Sequence, residues 1–136
     1  MFKIPKSELD YFSWLDQVYR DFMIELLQNL EPRFEKKCTI LYRELEEISE
    51  VIFIESGIID IGFEVTRKPR YVLRMFKGTL IGAYNCCENM KTLFMYRCSS
   101  DVHGFFVRKC IWLSLLEDYP EIGCFIRENV SIRYHT

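Results

Sequence analysis

The chain has 136 residues, 49% of them hydrophobic and 28% charged, a composition that suits one globular domain with a single core and argues against disorder. Its net charge of -2 gives no general reason to expect nucleic acid or an anionic membrane surface as a partner. The longest strongly apolar runs, such as Ile111 to Leu116, are far shorter than the ~20 residues of a membrane helix.

The first ten residues carry Lys3, Lys6, Glu8 and Asp10, which interrupt any basic segment followed by an apolar one, so no signal peptide is predicted and a cytoplasmic location is expected. In that compartment the six cysteines are expected to be reduced thiols. They show no Cys-x-x-Cys spacing that His103 or His135 could complete, and no metal site is predicted.

Apolar residues recur mostly every three or four positions from Ser7 to Leu30, which predicts helix, with one break near residues 16–19. Ser7 followed by Asp10 has the form of an N-terminal cap, and Glu31-Pro32 supplies the stop. Helices are therefore expected over most of the first thirty residues.

After Pro32 the pattern alternates, which predicts antiparallel β-structure. Turns are predicted at Gly57, at Arg67-Lys68-Pro69, at Gly78 and in a loop from Asn85 to Asn89. The predicted strands are Arg33 to Leu41, Glu50 to Glu55, Ile58 to Val65, Tyr71 to Phe76, Thr79 to Ala83, Leu93 to Cys98 and Val102 to Val107. The longest mixed-basic stretch, Arg33 to Arg43, also carries Glu35 and is best explained as a solvated strand edge.

Helical spacing returns near Lys109 and is expected to end at Tyr119-Pro120, where a further helix starts with proline in its first turn. The fold class predicted is α+β, mainly β: an antiparallel β-roll of the jelly-roll type, flanked by N-terminal and C-terminal helices. One domain is expected over residues 1–136, with helices at 1–32, the roll at 33–107 and helices at 109–136.

Three stretches in this order resemble the cyclic-nucleotide-binding domain family, in particular its version in potassium and cyclic-nucleotide-gated channels. Residues 51–61 are similar to two successive early strands of the family's roll, joined by Gly57. Gly78 and Gly82 match the two glycines four residues apart, the second of which opens the family's phosphate-binding cassette. Residues 112–121 resemble the helix that ends in a tyrosine-proline step.

The resemblance extends from about Asp21 to the C-terminus, and the first helices are similar to the linker between channel pore and binding domain. The aromatic-rich first helix and residues 26–34 look most like the channels of ciliates. The resemblance implies a cytosolic regulatory domain that works beside the rest of a membrane channel subunit, tetrameric in the full protein. An unrelated small β-barrel is the alternative.

The resemblance also implies a degenerate pocket at Gly82, Ala83, Tyr84, Lys91, Thr92 and Leu93. In the family a glutamate after the cassette glycine accepts a hydrogen bond from the ribose, and here that position is Ala83. An arginine about ten residues after the glycine holds the phosphate, and here that position is Thr92. Losing both charged groups would remove about 4 kcal/mol, near a thousandfold in affinity, so neither cAMP nor cGMP is expected as a cofactor.

Lys91 could replace the arginine only if it reached the same side as Thr92, and on a strand neighbouring side chains point to opposite faces. The loop is otherwise interpreted as closing over a filled core. Cys86-Cys87 as a redox pair is a further alternative, although no cation nearby in sequence lowers a thiol pKa.

Three functions follow for comparison: a ligand-independent regulatory and assembly module, a sensor of a cyclic nucleotide or another small molecule, and an enzyme. Catalysis is not expected, because cupin-like rolls need clustered histidines and the chain has only His103 and His135. The amphipathic segment from Ile122 to Ile132 leaves a calmodulin-type partner open.

Overall fold

The structure, a computed structural model, describes residues 16–135 and the side chains of residues 16–129. The predicted cap at Ser7 and the helix before Asp16 lie outside the described residues. The first helix, α1, spans Gln17–Gln28, and Asp16 caps it by accepting hydrogen bonds from the backbone N–H groups of Val18 and Tyr19. The predicted break near residues 16–19 therefore falls at a helix start.

Eight strands and three further helices follow in the described part of the chain. The strands are β1 (Glu31–Glu35), β2 (Ile40–Tyr42), β3 (Glu50–Ser56), β4 (Ile59–Val65), β5 (Lys68–Met75), β6 (Leu80–Ile81), β7 (Met95–Cys98) and β8 (Val102–Arg108). The helices are α2 (Ala83–Glu88), between β6 and β7, and then α3 (Lys109–Asp118) and α4 (Pro120–His135). The junction of α3 and α4 at Tyr119-Pro120 is confirmed.

The strands form two four-stranded antiparallel sheets, in the orders β1-β8-β3-β6 and β2-β7-β4-β5. This is the predicted mainly-β roll with flanking helices. Strand β3 is central, and Val51 to Ile54 are all almost fully buried. Since successive side chains point to opposite faces, one face of β3 lies in the roll and the other against the helices. The ring of Phe53 meets that of Trp112 at 6.5 Å, which places Phe53 on the helical side.

Helix α1 packs on the C-terminal helices through a stripe of buried residues. Phe22 is fully buried and its ring lies 5.6 Å from that of Tyr119, edge to face. Tyr19, Met23 and Leu26 are buried on the same side, with the spacing of one helical face. No helix among residues 16–135 is long and apolar enough to cross a membrane.

Three local predictions were wrong. The single strand predicted at Arg33 to Leu41 is two strands in different sheets, separated by a turn in which Cys38 has φ 76°. The turn expected at residues 67–69 lies at Thr66-Arg67, and Pro69 belongs to β5. β5 is an edge strand, where a missing N–H is tolerated. The loop expected at residues 85–89 is mostly helix α2.

Candidate functional site

Gly82 forms the sharp turn from β6 into α2, at the position predicted to open the cassette. We use the name cassette for residues 82–92. Its φ is 88°, and a Cβ there would lie 2.6 Å from Ile48 Cγ2 and 2.7 Å from the carbonyl oxygen of Glu50. Only glycine fits a backbone packed this closely in a left-handed conformation. Gly78 has the same φ, but nothing lies within 4 Å of its missing Cβ. The two glycines thus serve different purposes, close packing at Gly82 and turn geometry at Gly78.

Helix α2 is short, and Asn85 holds the segment that follows it. The Cys86 N–H donates to the Gly82 carbonyl at 2.9 Å and closes the first turn. The buried Asn85 amide donates to the carbonyl oxygens of Met90 and Lys91, at 3.1 and 3.2 Å. The backbone after the helix is therefore fixed by a side chain of the helix itself.

The sequence-predicted pocket residues at the start of α2 offer little to a polar ligand. Ala83 is 4% exposed and ends in a methyl group. Tyr84 is half-buried, and its hydroxyl lies 3.6 Å from the Met90 sulfur. Neither position provides a carboxylate.

The other predicted pocket residues differ in exposure, since one is buried and its two neighbours are exposed. Thr92 is fully buried, and its hydroxyl donates to the Phe94 carbonyl and accepts from the Phe94 N–H, at 2.9 and 3.0 Å. Lys91 and Leu93 on either side are exposed. Strand β7 begins only at Met95, so the opposite orientations of Lys91 and Thr92 arise in a loop and not on a strand as expected.

The backbone of Thr92 is also fully engaged. Its N–H donates to the carbonyl of Glu46 at 3.0 Å, and its carbonyl accepts from the N–H of Leu45 at 2.8 Å. These two bonds attach the end of the cassette to the turn after β2. A larger side chain at this fully buried position would have to displace its neighbours.

Lys91 borders a small cleft of about 100 Å³ at the C-terminal end of α2. The cleft is also lined by Glu47, Ile48, Asn89, Met90 and Lys109. The Lys109 ammonium donates to the Asn89 side-chain oxygen, so one of the two cations already has a neutral partner. Lys91, the cation of the cassette, therefore lies at the exposed C-terminal end of this segment, away from the buried Ala83.

The vicinal cysteines are poor candidates for thiol chemistry. Burial raises the pKa of Cys86 to about 12, and burial also raises the pKa of Cys87. A raised pKa keeps the thiol protonated at neutral pH and suppresses the reactive thiolate. Cys86 behaves as a small core residue, with its sulfur 3.7 Å from the Ile48 carbonyl.

A half-buried charged network that sequence reasoning missed lies behind the cassette. One carboxylate oxygen of Glu50 accepts from an Arg33 guanidinium N–H at 2.5 Å and from the Tyr42 hydroxyl at 2.7 Å. Arg33 also donates to Glu35 at 3.0 Å. Since Tyr42 belongs to the second sheet and the other residues to the first, the network joins the two sheets. No signal in sequence groups residues 8 to 17 positions apart, which only the strand pairing brings together.

The network also sets the protonation of Glu50. Desolvation alone would raise the pKa of this carboxyl, but hydrogen bonds from Tyr42 and Arg33 outweigh it and hold the pKa below its ordinary value. The pKa of Tyr42 is raised by burial and by its hydrogen bond to Glu50. Glu50 is thus anionic at neutral pH, and its backbone carbonyl contacts Gly82.

No protein-family model matches the chain, and no curated protein matches its sequence. Solved structures do match its fold. The sensor domain of the transcriptional regulator DNR from Pseudomonas aeruginosa aligns with a TM-score of 0.71 and 12% identity, over 96% of this chain and 88% of that one. The catabolite activator protein of Thermus thermophilus aligns with 0.73 and 12%, over 91% and 57%.

A candidate cyclic-nucleotide-binding protein from Geobacter metallireducens aligns with a TM-score of 0.72 and 11% identity, over 97% of this chain and 95% of that one. All three are bacterial proteins, and none is described as an ion channel. At identities this low the likeness concerns the path of the backbone. The two sheets, the short helix after Gly82 and the flanking helices therefore have the fold of the cyclic-nucleotide-binding domains.

Proposed function

We propose that this chain is a non-catalytic regulatory and assembly domain in which the cassette is retained as structure and does not bind cAMP or cGMP. The observation that carries the proposal is the state of Thr92: it is fully buried, and both its hydroxyl and its backbone are bonded to neighbouring backbone groups. At the position where the family resemblance implies an arginine, the chain has a buried, uncharged threonine, and this supports the proposal.

The ribose side of the cassette supports the same proposal. A ribose hydroxyl that leaves water needs an acceptor, because an unpaired buried hydroxyl costs about 1 to 3 kcal/mol. Ala83 has no such acceptor.

The assembly role rests on α1 and on the resemblance of the N-terminal region to a channel linker. The buried face of α1 contacts the C-terminal helices through Phe22 and Tyr119, and Trp112 of α3 contacts Phe53 of the central strand. A displacement of α1 would therefore be transmitted to the roll through packed side chains. We infer a cytoplasmic position beside the pore of a tetrameric channel, of the potassium-channel kind that the sequence resembles.

A ligand sensor is the second candidate, and Lys91 is the observation in its favour. This lysine is exposed, has no ion-pair partner among the described residues, and lies near the C-terminal end of the cassette. An anion could reach it from the cleft without entering the space above Ala83. Such a ligand would bind at the outer end of α2.

Isothermal calorimetry on the chain with cAMP and cGMP separates the two candidates. We expect no saturable heat at micromolar nucleotide, because the missing carboxylate and cation correspond to near a thousandfold in affinity. Saturable binding that the Lys91→Ala variant loses would overturn the proposal in favour of the sensor. Lys77→Ala, which removes another exposed lysine away from the cassette, is the matched control.

The channel context has its own test. The complete transcript that encodes this chain should also encode pore-forming membrane segments before residue 1. A transcript that instead joins this domain to a DNA-binding or kinase module would overturn the channel assignment and leave the ligand-free regulatory role standing.

A further inference from the structure

The hairpin of β4 and β5 carries the strongest basic surface of the described chain. Residues 65–77 contain five cations and no acidic residue: Arg67, Lys68, Arg70, Arg74 and Lys77. The whole chain has a net charge of -2, so the remaining residues together carry -7. Among the described ion pairs only Arg74 has a partner, Asp60 at 2.8 Å. We call residues 65–77 the basic hairpin; it lies outside the stretch, Arg33 to Arg43, that sequence reasoning singled out.

The basic hairpin projects from its sheet. The last pair between β4 and β7 is Gly62 with Met95, whereas β4 and β5 continue to pair as far as Val65 with Lys68. Beyond Gly62 no described strand pairs with β4 on the β7 side, where the Glu64 N–H donates instead to the Glu44 carboxylate. The basic hairpin can therefore enter a groove on another surface.

The basic hairpin also exposes apolar side chains. Val65, Val72, Leu73 and Phe76 are between 46% and 63% exposed. Val65 lies on the projecting part, whereas Leu73 lies where β5 borders the portion of β4 that also pairs with β7, and Phe76 follows the end of β5. Four large apolar residues beside five cations on one hairpin are more than scattered surface hydrophobics. A partner for this surface should offer negative charge and apolar contact together.

The groove between α1 and α3 has that chemistry. It has a volume of about 270 Å³ and is lined by Glu25, Asn29, Cys110, Ile111, Ser114, Leu115 and Asp118. Both carboxylates are exposed, and none of the lining residues is a cation. Ile111 and Leu115 supply an apolar wall. We call this the acidic groove.

The neighbouring Tyr119 lies in negatively charged surroundings. Desolvation, then the charge of Glu25 and a hydrogen bond to it, raise the pKa of Tyr119, with further contributions from Asp21 and Asp118. The cations that precede α3 have partners elsewhere, since Arg108 pairs with Glu31 at 3.4 Å and Lys109 donates to Asn89. The carboxylates of the groove are not neutralised by these two residues.

The basic hairpin and the acidic groove lie on different parts of the molecule. Helix α3 packs on β3 and β8 of the first sheet, whereas the hairpin is at the free edge of the second sheet. We propose that the basic hairpin of one copy docks into the acidic groove of a second copy. The contact is head-to-tail, so it generates a ring if the rotation closes and a filament if it does not.

A membrane surface fits the hairpin less well. A ribbon that inserts into lipid should carry apolar residues at its tip, but the tip here is Thr66-Arg67. The apolar residues lie along the strands, where the walls of a groove can contact them. The contact goes beyond the proposed function and does not depend on it, because neither surface contains residues of the cassette.

Sedimentation velocity on the chain tests the contact at about 50 mM and at about 500 mM salt, since screening removes interactions of exposed charges at the higher concentration. We expect self-association at low salt that weakens at least ~tenfold in R67E/R70E and in E25K/D118K, where like charges meet. The control K36E/K37E makes an equal charge change on the turn between β1 and β2 and should associate as the wild type does.

Charge exchange identifies the pairing. An equimolar mixture of R67E/R70E and E25K/D118K should associate more tightly than either variant alone, and the chain with all four substitutions should self-associate again. Circular dichroism establishes that each variant is folded. A wild-type chain that stays monomeric at both salt concentrations, or a mixture that fails to associate, would overturn the proposal. Binding to phosphatidylserine vesicles that R67E/R70E loses, without self-association of the wild type, would assign the hairpin to lipid.

Discussion

The cassette and the basic hairpin use their polar groups in opposite ways. In the cassette, Asn85 and Thr92 are buried and bond to nearby backbone, so the segment satisfies its own hydrogen bonds. In the hairpin, Arg67, Lys68 and Arg70 are exposed and have no ion-pair partner among the described residues. The buried polar groups of the cassette are thus bonded to its own backbone, whereas the hairpin presents its charges on the surface.

The largest expected effect concerns the packing of the cassette. Gly82→Ala should lower the free energy of unfolding by about 4 kcal/mol, because the new Cβ meets Ile48 and the Glu50 carbonyl and the residue keeps a positive φ. Urea unfolding measures the change.

Gly78→Ala is the matched control for that change, since its φ is the same and nothing lies within 4 Å of the new Cβ. The control should cost about 1 to 2 kcal/mol, for backbone strain alone. Equal losses in the two variants would show that the cassette is loosely packed, and the contrast with the hairpin would disappear.

The next effect concerns the charged network behind the cassette. Glu50→Gln should cost about 2 kcal/mol at neutral pH, because the half-buried Arg33 loses a charged acceptor. Glu55→Gln, an exposed residue of the same strand, should cost almost nothing.

The same network predicts a pH dependence. Folding lowers the pKa of Glu50, so this carboxylate contributes its full stabilisation of the folded chain above the ordinary carboxyl pKa. The contribution is lost as the pH falls through the lowered pKa of the folded state. Urea unfolding between pH 3 and pH 7 extends to about one unit below the ordinary carboxyl pKa. Over this range the free energy of unfolding should fall more steeply with decreasing pH in the wild type than in Glu50→Gln. Identical slopes would contradict the assignment of this group.

The smallest effect concerns the tip of the hairpin. Thr66 has φ 55° and Arg67 has φ 65°, and a branched residue is strained in this region. Thr66→Asn should stabilise the chain by about 0.5 to 1 kcal/mol, since asparagine tolerates a positive φ, while Thr66→Val keeps the branch and should give no gain. Thermal unfolding measures both, and self-association should be unchanged because no charge is altered.

Residue patterns predicted the longer elements well. The junction at Tyr119-Pro120 and the strands around Val51 and Val102 follow from periodicity and from proline chemistry, which act locally. Helix α2 was missed because six residues with one asparagine and two cysteines carry too little periodicity to register, and a helix this short depends on its surroundings.

The candidate site was predicted less completely. The positions Ala83 and Thr92 were named from sequence spacing, and their assignment to a degenerate pocket stays a prediction. The burial of Thr92 and the bonds from Asn85 could not be named, because they depend on the turn after β2 meeting the end of the cassette. The contact of Arg33 with Glu50 likewise depends on the arrangement of β1, β8 and β3 in one sheet and not on spacing in the sequence.

The amide of Asn85 has a consequence for signalling. A segment that becomes ordered only when its guest arrives can convert binding into motion, since the ordering itself is the response. Here the Asn85 amide holds the carbonyls of Met90 and Lys91, and the backbone of Thr92 is bonded to Leu45 and Glu46, so the end of this segment is ordered by the chain itself. If the proposed function holds, input to this domain would arrive through its outer helices or through a contact at its edge.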